Sequence, residues 1–284
     1  MTANTALKVL NNNTIRWSSP IEFNDPFDVP RELAYDVDTK ELKLAIFSIL
    51  LKLIEENNSD ISHLTENVQR VLKLIRSSKK LTKGSITSIL SDKESQIFEL
   101  SSGLEELRKV WRAFIPEFRI LCLTTRNDSA SMWYHYADKY KGVTLGLACI
   151  DELDSPWLLA RPVYYPVETP KLFTAEGWAE IIMTPQETAL PKIFEAYTYT
   201  KTPDWSYEQE WRITSFKRPQ ETGTTSDYNL HPSHFCEIYL GPHIEENYRH
   251  QILSLVFNKM PQVKPYDVSF GLDQKFKFTL IEKG

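Results

Sequence analysis

Between Thr39 and Ile115 the hydrophobic period of the chain changes from two to three and four, which restricts the fold more than any other feature. Thr39 to Glu56 reads as a strongly apolar helix, with Asp36, Asp38 and Thr39 as cap candidates. Leu64, Val68, Val71, Leu72 and Ile75 then form one stripe on a second helix. A third runs from about Ser85 to Ile115, with Ile97, Leu100, Leu104, Leu107, Trp111 and Phe114 at helical steps and Pro116 ending it. Lys, Ser and Gly at 77–85 mark the joint between the last two. Three helices of this kind bury their own stripes, so 39–115 reads as a helical insertion with a small core.

The flanking segments have strand character. Thr14–Ser19 is stopped by Pro20, Phe118–Thr125 is buried-looking, and Val143–Ile150, Arg161–Tyr165, Phe235–Leu240 and Lys275–Ile281 follow. A helical stretch broken at Pro185 and Pro191 ends near Tyr199, Thr222–Asp227 reads as a surface loop, and Glu245–Asn258 reads as a helix. The expected fold is α+β: a mixed, largely antiparallel sheet core from residues 1–38 and 116–284, interrupted by the three helices of 39–115.

The bulk numbers set limits on function. With 42% hydrophobic and 25% charged residues among 284, the composition is that of an ordinary globular chain. A net charge of −5 argues against nucleic acid or an anionic membrane as a partner. No apolar run reaches the length of a membrane span, and the first residues lack the pattern of a signal peptide. Cys122, Cys149 and Cys236 are odd in number and far apart. The first two lie in apolar runs, so buried free thiols in a reducing cytoplasm are expected.

Phosphate loops of the G-x-x-x-x-G-K-[ST] and G-x-G-x-x-G types are absent, as are H-E-x-x-H and G-x-S-x-G. No metal site is expected; the spacing of His231 and His234 reads as chance. Three polar and aromatic sets remain. Phe23-Asn24-Asp25-Pro26-Phe27-Asp28, shortly after Ser18, is a turn in which short side chains bond nearby amides. Met132-Trp133-Tyr134-His135-Tyr136 lies on a helix capped by Asp128 or Ser129. Tyr207 to Thr214 reads as a strand with Glu208, Glu210, Arg212 and Thr214 on one face, and Tyr207, Gln209, Trp211 and Ile213 on the other.

Each set has a plain structural reading. The acidic strand suits a solvated ion-pair ladder, Trp133 and Tyr136 suit core aromatics with bonded polar tips, and His135 suits a satisfied structural histidine. Together, however, they place polar and aromatic groups at the ends of separate elements, where a pocket could collect them.

The ordered motifs SSPIEFNDPFD, ILCLTTRNDSASMWYHYADKYKGV, WSYEQEWR and EIYLG resemble the bacterial domain-of-unknown-function family 2971. Family members usually open with an aromatic and basic strand, whereas this chain starts almost at the helix of Thr5–Leu10. More distantly, the order of a Ser-bearing strand, an aromatic helix and a late Glu-bearing strand is similar to the ADP-ribosyltransferase-like fold. That resemblance implies an NAD-cleaving enzyme of transferase or glycohydrolase type, suited to a toxin or antiviral effector. NAD would be its substrate, with no tightly bound cofactor. It implies Glu210 as the catalytic carboxylate, aided by Glu208, Arg212 and His135. Trp133 or Tyr136 would stack a ring of the nucleotide, with Ser18, Asn24 and Asp25 near its ribose or phosphates. Two other readings fit the same residues: a module that binds a nucleotide or small anion without turnover, and a protein-interaction scaffold working through 39–115.

Overall fold

The computed structural model describes residues 1–33, 37–56, 60–77 and 94–283, the side chains of 94–102 excepted. Asp36, the expected joint from residue 78 to 85, the expected helix start at 85–93 and the side chains of Ile97 and Leu100 therefore lie outside the described residues. The class is α+β, with two mainly antiparallel sheets. The chain divides into two compact units, Met1–Glu22 with Phe118–Val163 and Asp204–Gly284, and Phe23–Glu117 with Tyr164–Pro203. These boundaries differ from the sequence expectation, because 23–38 and 164–203 group with the helices of 39–115.

The first unit holds both sheets. Strands β1 (Thr14–Ser18), β2 (Phe118–Thr124), β4 (Arg161–Pro162), β5 (Glu210–Phe216) and β6 (Thr225–Asn229) pair antiparallel in the order β4-β5-β2-β1-β6. One face of this sheet carries Ile15, Trp17, Leu121 and Ile213, which pack together with Trp157. Strands β3 (Val143–Leu147), β7 (Phe235–Leu240), β8 (Lys264–Phe270) and β9 (Phe276–Leu280) form the second sheet in that order. Its β7–β8 pair is parallel, as a crossover through helix α8 (Glu246–Lys259) requires.

Helices α8 and α1 (Ala3–Asn12) bury Ala6, Val9, Leu10, Ile252 and Val256 against Ile238 and Leu240 on one face of the second sheet. On the opposite face Tyr239 and Val268 receive Trp133 and Ala137 from the short helix α5 (Ala130–Tyr136) and its end. The alternation of Ile238, Tyr239 and Leu240 along one strand is what splits the two cores. Leu147 and Leu230 pack against both the first-sheet core and the α1–α8 core.

The second unit is helical, with α2 (Thr39–Glu55), α3 (Glu66–Ser77), α4 (Glu94–Phe114), α6 (Ala175–Ile182) and α7 (Gln186–Tyr199). Leu42, Ile46, Val68, Leu72, Leu104, Leu107 and Trp111 of the expected stripes are buried, as are Trp178, Ile182 and Ile193. Pro191 lies inside α7 and does not break it. A proline so near the helix start forfeits one early amide bond and leaves the later turns intact. Trp111 Nε1 donates to the Pro30 carbonyl at 2.7 Å, and Arg108 Nε to that of Leu33 at 3.0 Å. These two bonds tie the 23–33 segment to the helices.

Candidate functional site

Two paired strands set the site. In the β2–β5 register Thr124 faces Glu210, Cys122 faces Arg212 and Leu121 faces Ile213. Ile213 is locked into the apolar core, so alternation turns Glu210 and Arg212 to the opposite face. Arg212 Nε donates to Glu210 Oε1 at 2.7 Å and its Nη2 to Oε2 at 2.9 Å, a two-pronged charge-assisted pair. Arg212 is 0% and Glu210 5% exposed, so the solvated-ladder reading does not hold. Both charges have left water, and their mutual satisfaction offsets that cost.

Glu208 reaches the same place by another route. The chain is not a strand from Tyr207: a 3₁₀ turn spans Pro203–Glu208, and Gln209 adopts a left-handed φ of 44° before β5 begins at Glu210. Strand alternation therefore does not align Glu208 with Glu210; the kink at Gln209 does. The Thr124 hydroxyl, across from Glu210, donates to the Glu208 carbonyl at 2.6 Å. The Tyr136 hydroxyl donates to Glu208 Oε1, also at 2.6 Å. Glu208 is 3% exposed, whereas Tyr136 keeps 42% of its surface in contact with solvent.

The phenol of Tyr136 is pushed far above its ordinary pKa, first by burial and then by its bond to Glu208, with the negative charges of Glu208 and Glu210 adding to the shift. It stays a donor across the physiological range. Thr124, Tyr136, Glu208, Glu210 and Arg212 thus make a compact set in the first unit: two carboxylates, one guanidinium and two hydroxyls, with the Tyr136 ring its most exposed member.

The other expected residues lie elsewhere. Trp133 is buried in the α5 core, its Nε1 donating to the Asn127 carbonyl at 2.6 Å, and it presents no face to a ligand. His135 is exposed, and its ring packs in T-shaped contacts with Tyr134 and Tyr136. Ser18 is half-buried at the end of β1, opposite Ile120 and Thr225. Counting strand and residue spacings puts it roughly 16 Å from Glu210 across the sheet. In the second unit, Asp25 Oδ1 accepts from the Phe27 amide at 2.9 Å, the expected capped turn, while Asn24 is exposed. That turn also supplies Asp28, whose carboxylate lies 3.4 Å from Lys201 Nζ in a buried ion pair that the sequence did not announce.

Among the described residues no group of three or more His, Cys, Asp or Glu could hold a metal ion. His231 caps a turn by accepting from Ser233, and His234 is buried against Ser155 and Trp157, so their spacing has local structural uses. Cys122 and Cys149 are exposed rather than buried: Cys122 lies on β2, while Cys149 lies past the end of β3, beyond the strand expected at Val143–Ile150. No described helix is long and apolar enough to cross a membrane.

Tyr136, Glu208, Glu210 and Arg212 all fall in one segment that also has a family signature. Residues 132–213 match the family model of Protein of unknown function (DUF2971). The match covers the aromatic helix and the acidic strand, two of the motifs on which the resemblance rests. It leaves Ser18, Asn24, Asp25 and Thr124 outside. No curated protein and no solved structure matches the chain.

Thr124, Gln209 and the Tyr136–Glu208 bond escape sequence reasoning. Tyr136 and Glu208 are 72 residues apart, and no periodicity links them. The positive φ at Gln209 leaves no trace in a residue type that is common everywhere.

Proposed function

We propose that the first unit cleaves the nicotinamide–ribose bond of NAD, as an NAD glycohydrolase or ADP-ribosyltransferase, and serves in the bacterial cytoplasm as a toxin or antiviral effector. The supporting observation is the convergence of Glu208 and Glu210 beside Tyr136, whose ring is part-exposed. In this reaction the C1′–N bond breaks and its electron pair leaves with the nicotinamide nitrogen. Positive charge grows on the ribose ring, and a carboxylate fixed beside it stabilises the transition state more than the ground state. Water or an acceptor then adds at C1′ and loses its proton to a carboxylate.

In this proposal the two carboxylates take different roles. Glu210 has both oxygens engaged by Arg212 and acts as the fixed positioning charge. Glu208, bonded to the Tyr136 hydroxyl at the exposed side of the set, is proposed as the group that meets the sugar. The test is release of free nicotinamide from NAD by the intact chain beside Glu208→Gln and Glu210→Gln, each checked for folding by thermal melting. Release by the wild type and a fall of about 10²–10³-fold in Glu208→Gln are expected. A wild type that releases no more nicotinamide than the variants, with acceptor proteins supplied, removes the proposal.

One observation favours a second reading. Both carboxylates are almost wholly buried and Glu210 is saturated by its partner, which also suits a preorganised recognition element that binds a nucleotide without turnover. A melting-temperature rise with NAD, ATP or a cyclic nucleotide, with no product formed, would select it.

A further inference from the structure

Strand β9 ends the second sheet, and among the described residues no strand pairs with its far side. The Gly271 amide donates to the Lys275 carbonyl at 2.7 Å, and the Ile281 amide to the Pro265 carbonyl at 2.9 Å. Both bonds keep the β8–β9 register, in which Val268 faces Phe278 and Ser269 faces Lys277. An antiparallel ladder bonds at every second residue. Lys275, Lys277, Thr279 and Ile281 therefore turn their main-chain groups to β8, and Phe276, Phe278 and Leu280 turn theirs outward. The rings of Phe276 and Phe278 pack on the core of Trp133 and Tyr239, and alternation puts the half-exposed Leu280 on that same face.

The other sheet edges are guarded in ways that β9 is not. Strand β3 shifts register between Gly146 and Leu147, and the amide and carbonyl of its Val143 are both bonded to Met1. Strand β4 is two residues long and contains Pro162, and β6 is polar with Asp227 at its centre. Bulges, brevity, proline and charge are the devices that keep a sheet edge from pairing. Strand β9 reads Phe-Lys-Phe-Thr-Leu, without proline, glycine or a register shift, and Lys277 is its one charge.

We infer that β9 pairs with β9 of a second copy of this chain, antiparallel and in one register. A twofold axis at Phe278 sets Phe278 against itself and Phe276 against Leu280 of the second copy, so the outward main-chain groups of all three find partners. The same axis puts Lys277 beside Thr279 and Lys275 beside Ile281. Moving the axis to Lys277 opposes that lysine to itself, and moving it to Thr279 opposes Lys275 to Lys283; like charges directly opposite destabilise a strand pair. A one-residue slip joins the apolar face of one copy to the Lys277 and Thr279 face of the other. Charge and face together leave the register centred on Phe278. There the apolar face holding Val268 and Phe278 runs on into the second copy, and the two four-stranded sheets become one. An edge complementary to itself specifies a second copy rather than an unrelated strand. This pairing is separate from the carboxylate set and asks nothing of the proposed NAD chemistry.

The experiment is sedimentation equilibrium of the intact chain beside Thr279→Lys, Thr279→Glu and Leu280→Pro. Wild type is expected at twice the chain mass of 33.0 kDa, dissociating on dilution. Thr279→Lys opposes lysines in both symmetric pairs and should weaken the dimer several-fold, whereas Thr279→Glu should hold it. Leu280→Pro removes an outward amide without touching the β8 ladder and should give the single-chain mass. Cross-linking at exposed positions decides the register even if the proline variant fails to fold. The double variant Lys277→Cys with Thr279→Cys should form a disulfide between copies on mild oxidation, because opposed residues there lie about 4.5 Å apart between Cα atoms. Neither single variant should cross-link at its substituted position, as peptide mass spectrometry would read. A single-chain mass at every concentration, a dimer indifferent to both Thr279→Lys and Leu280→Pro, or cross-linking in a single variant but not in the double overturns the inference. Capture of an extended peptide from another protein by an edge that stays single in solution overturns it as well.

Discussion

The Tyr136 hydroxyl and Glu208 Oε1 stand 2.6 Å apart, joining the end of the aromatic helix to a turn 72 residues later. A bond to a buried carboxylate contributes about 1.5–3 kcal/mol, so Tyr136→Phe should lower stability by an amount in that range, read from urea unfolding. The phenol's raised pKa fixes the pH sign. Below about pH 10 both folded and unfolded chains keep the proton and the contribution is complete; above it the unfolded chain ionises first, and stability falls as pH rises. Wild type should therefore lose more stability than Tyr136→Phe between neutral and strongly alkaline pH.

Breaking the Glu210–Arg212 pair from one side strands a buried charge. Arg212→Met should destabilise by about 3–5 kcal/mol, and the double replacement with Glu210→Leu should cost clearly less than the sum of the singles. Denaturant midpoints of the four chains in the cycle measure this. Strict additivity would mean that the two groups do not depend on one another.

Gln209 holds a left-handed φ that a β-branched residue tolerates poorly and glycine accepts freely. Gln209→Gly should be neutral or stabilising by up to about 1 kcal/mol, whereas Gln209→Val should cost about 1–2 kcal/mol. Thermal melting of both variants gives the order.

The thiols should separate by reactivity. Cys122 and Cys149 are exposed, while Cys236 is half-buried and its thiol is pushed above the ordinary range by burial and then by the neighbouring Glu237 charge. Less of Cys236 is thiolate at any given pH, so iodoacetamide should label it last, and raising the pH should narrow the gap. Peptide mass spectrometry after timed quenching reads the order directly.

Lys201 and Asp28 offer a parallel test in the helical unit. Lys201→Met leaves the Asp28 carboxylate buried beside an apolar group and should cost about 3–5 kcal/mol of that unit's stability. A far-UV circular dichroism melt, dominated by helices, reports it.

The sequence made the fold class legible because period and strand type are local properties. Leu42, Ile46 and Leu50, then Val68, Leu72 and Ile75, then Leu104, Leu107 and Trp111 are buried as helical spacing requires, whereas Phe114 at the end of the last stripe is exposed; Phe235–Leu240 is a strand over those six residues. Strand β8 is not legible in the sequence because Pro265 and Asp267 lower its propensity; parallel pairing with β7 outweighs both. Strand β6 reads as a loop because Thr-Ser-Asp-Tyr-Asn is polar, yet β1 supplies a full ladder for it. Within the site, residues 210–213 obeyed alternation and Glu208 did not, since a single backbone dihedral at Gln209 decides where the alternation starts. Trp133 and Tyr136 looked alike as helix aromatics; only the packing of the second sheet shows that one is sealed and the other open.

The kink at Gln209 also separates the two carboxylates in time. Glu210 sits on a strand paired along its whole length with β2, while Glu208 ends a 3₁₀ turn closed by a 3.3 Å bond from the Gln209 amide to Ser206. Short turns open at small free-energy cost, and central strands open only with the whole domain. Amide exchange should thus be early at Gln209 and late at Ile213. Two acids equally hidden from solvent would thus differ in how readily the backbone beneath them opens.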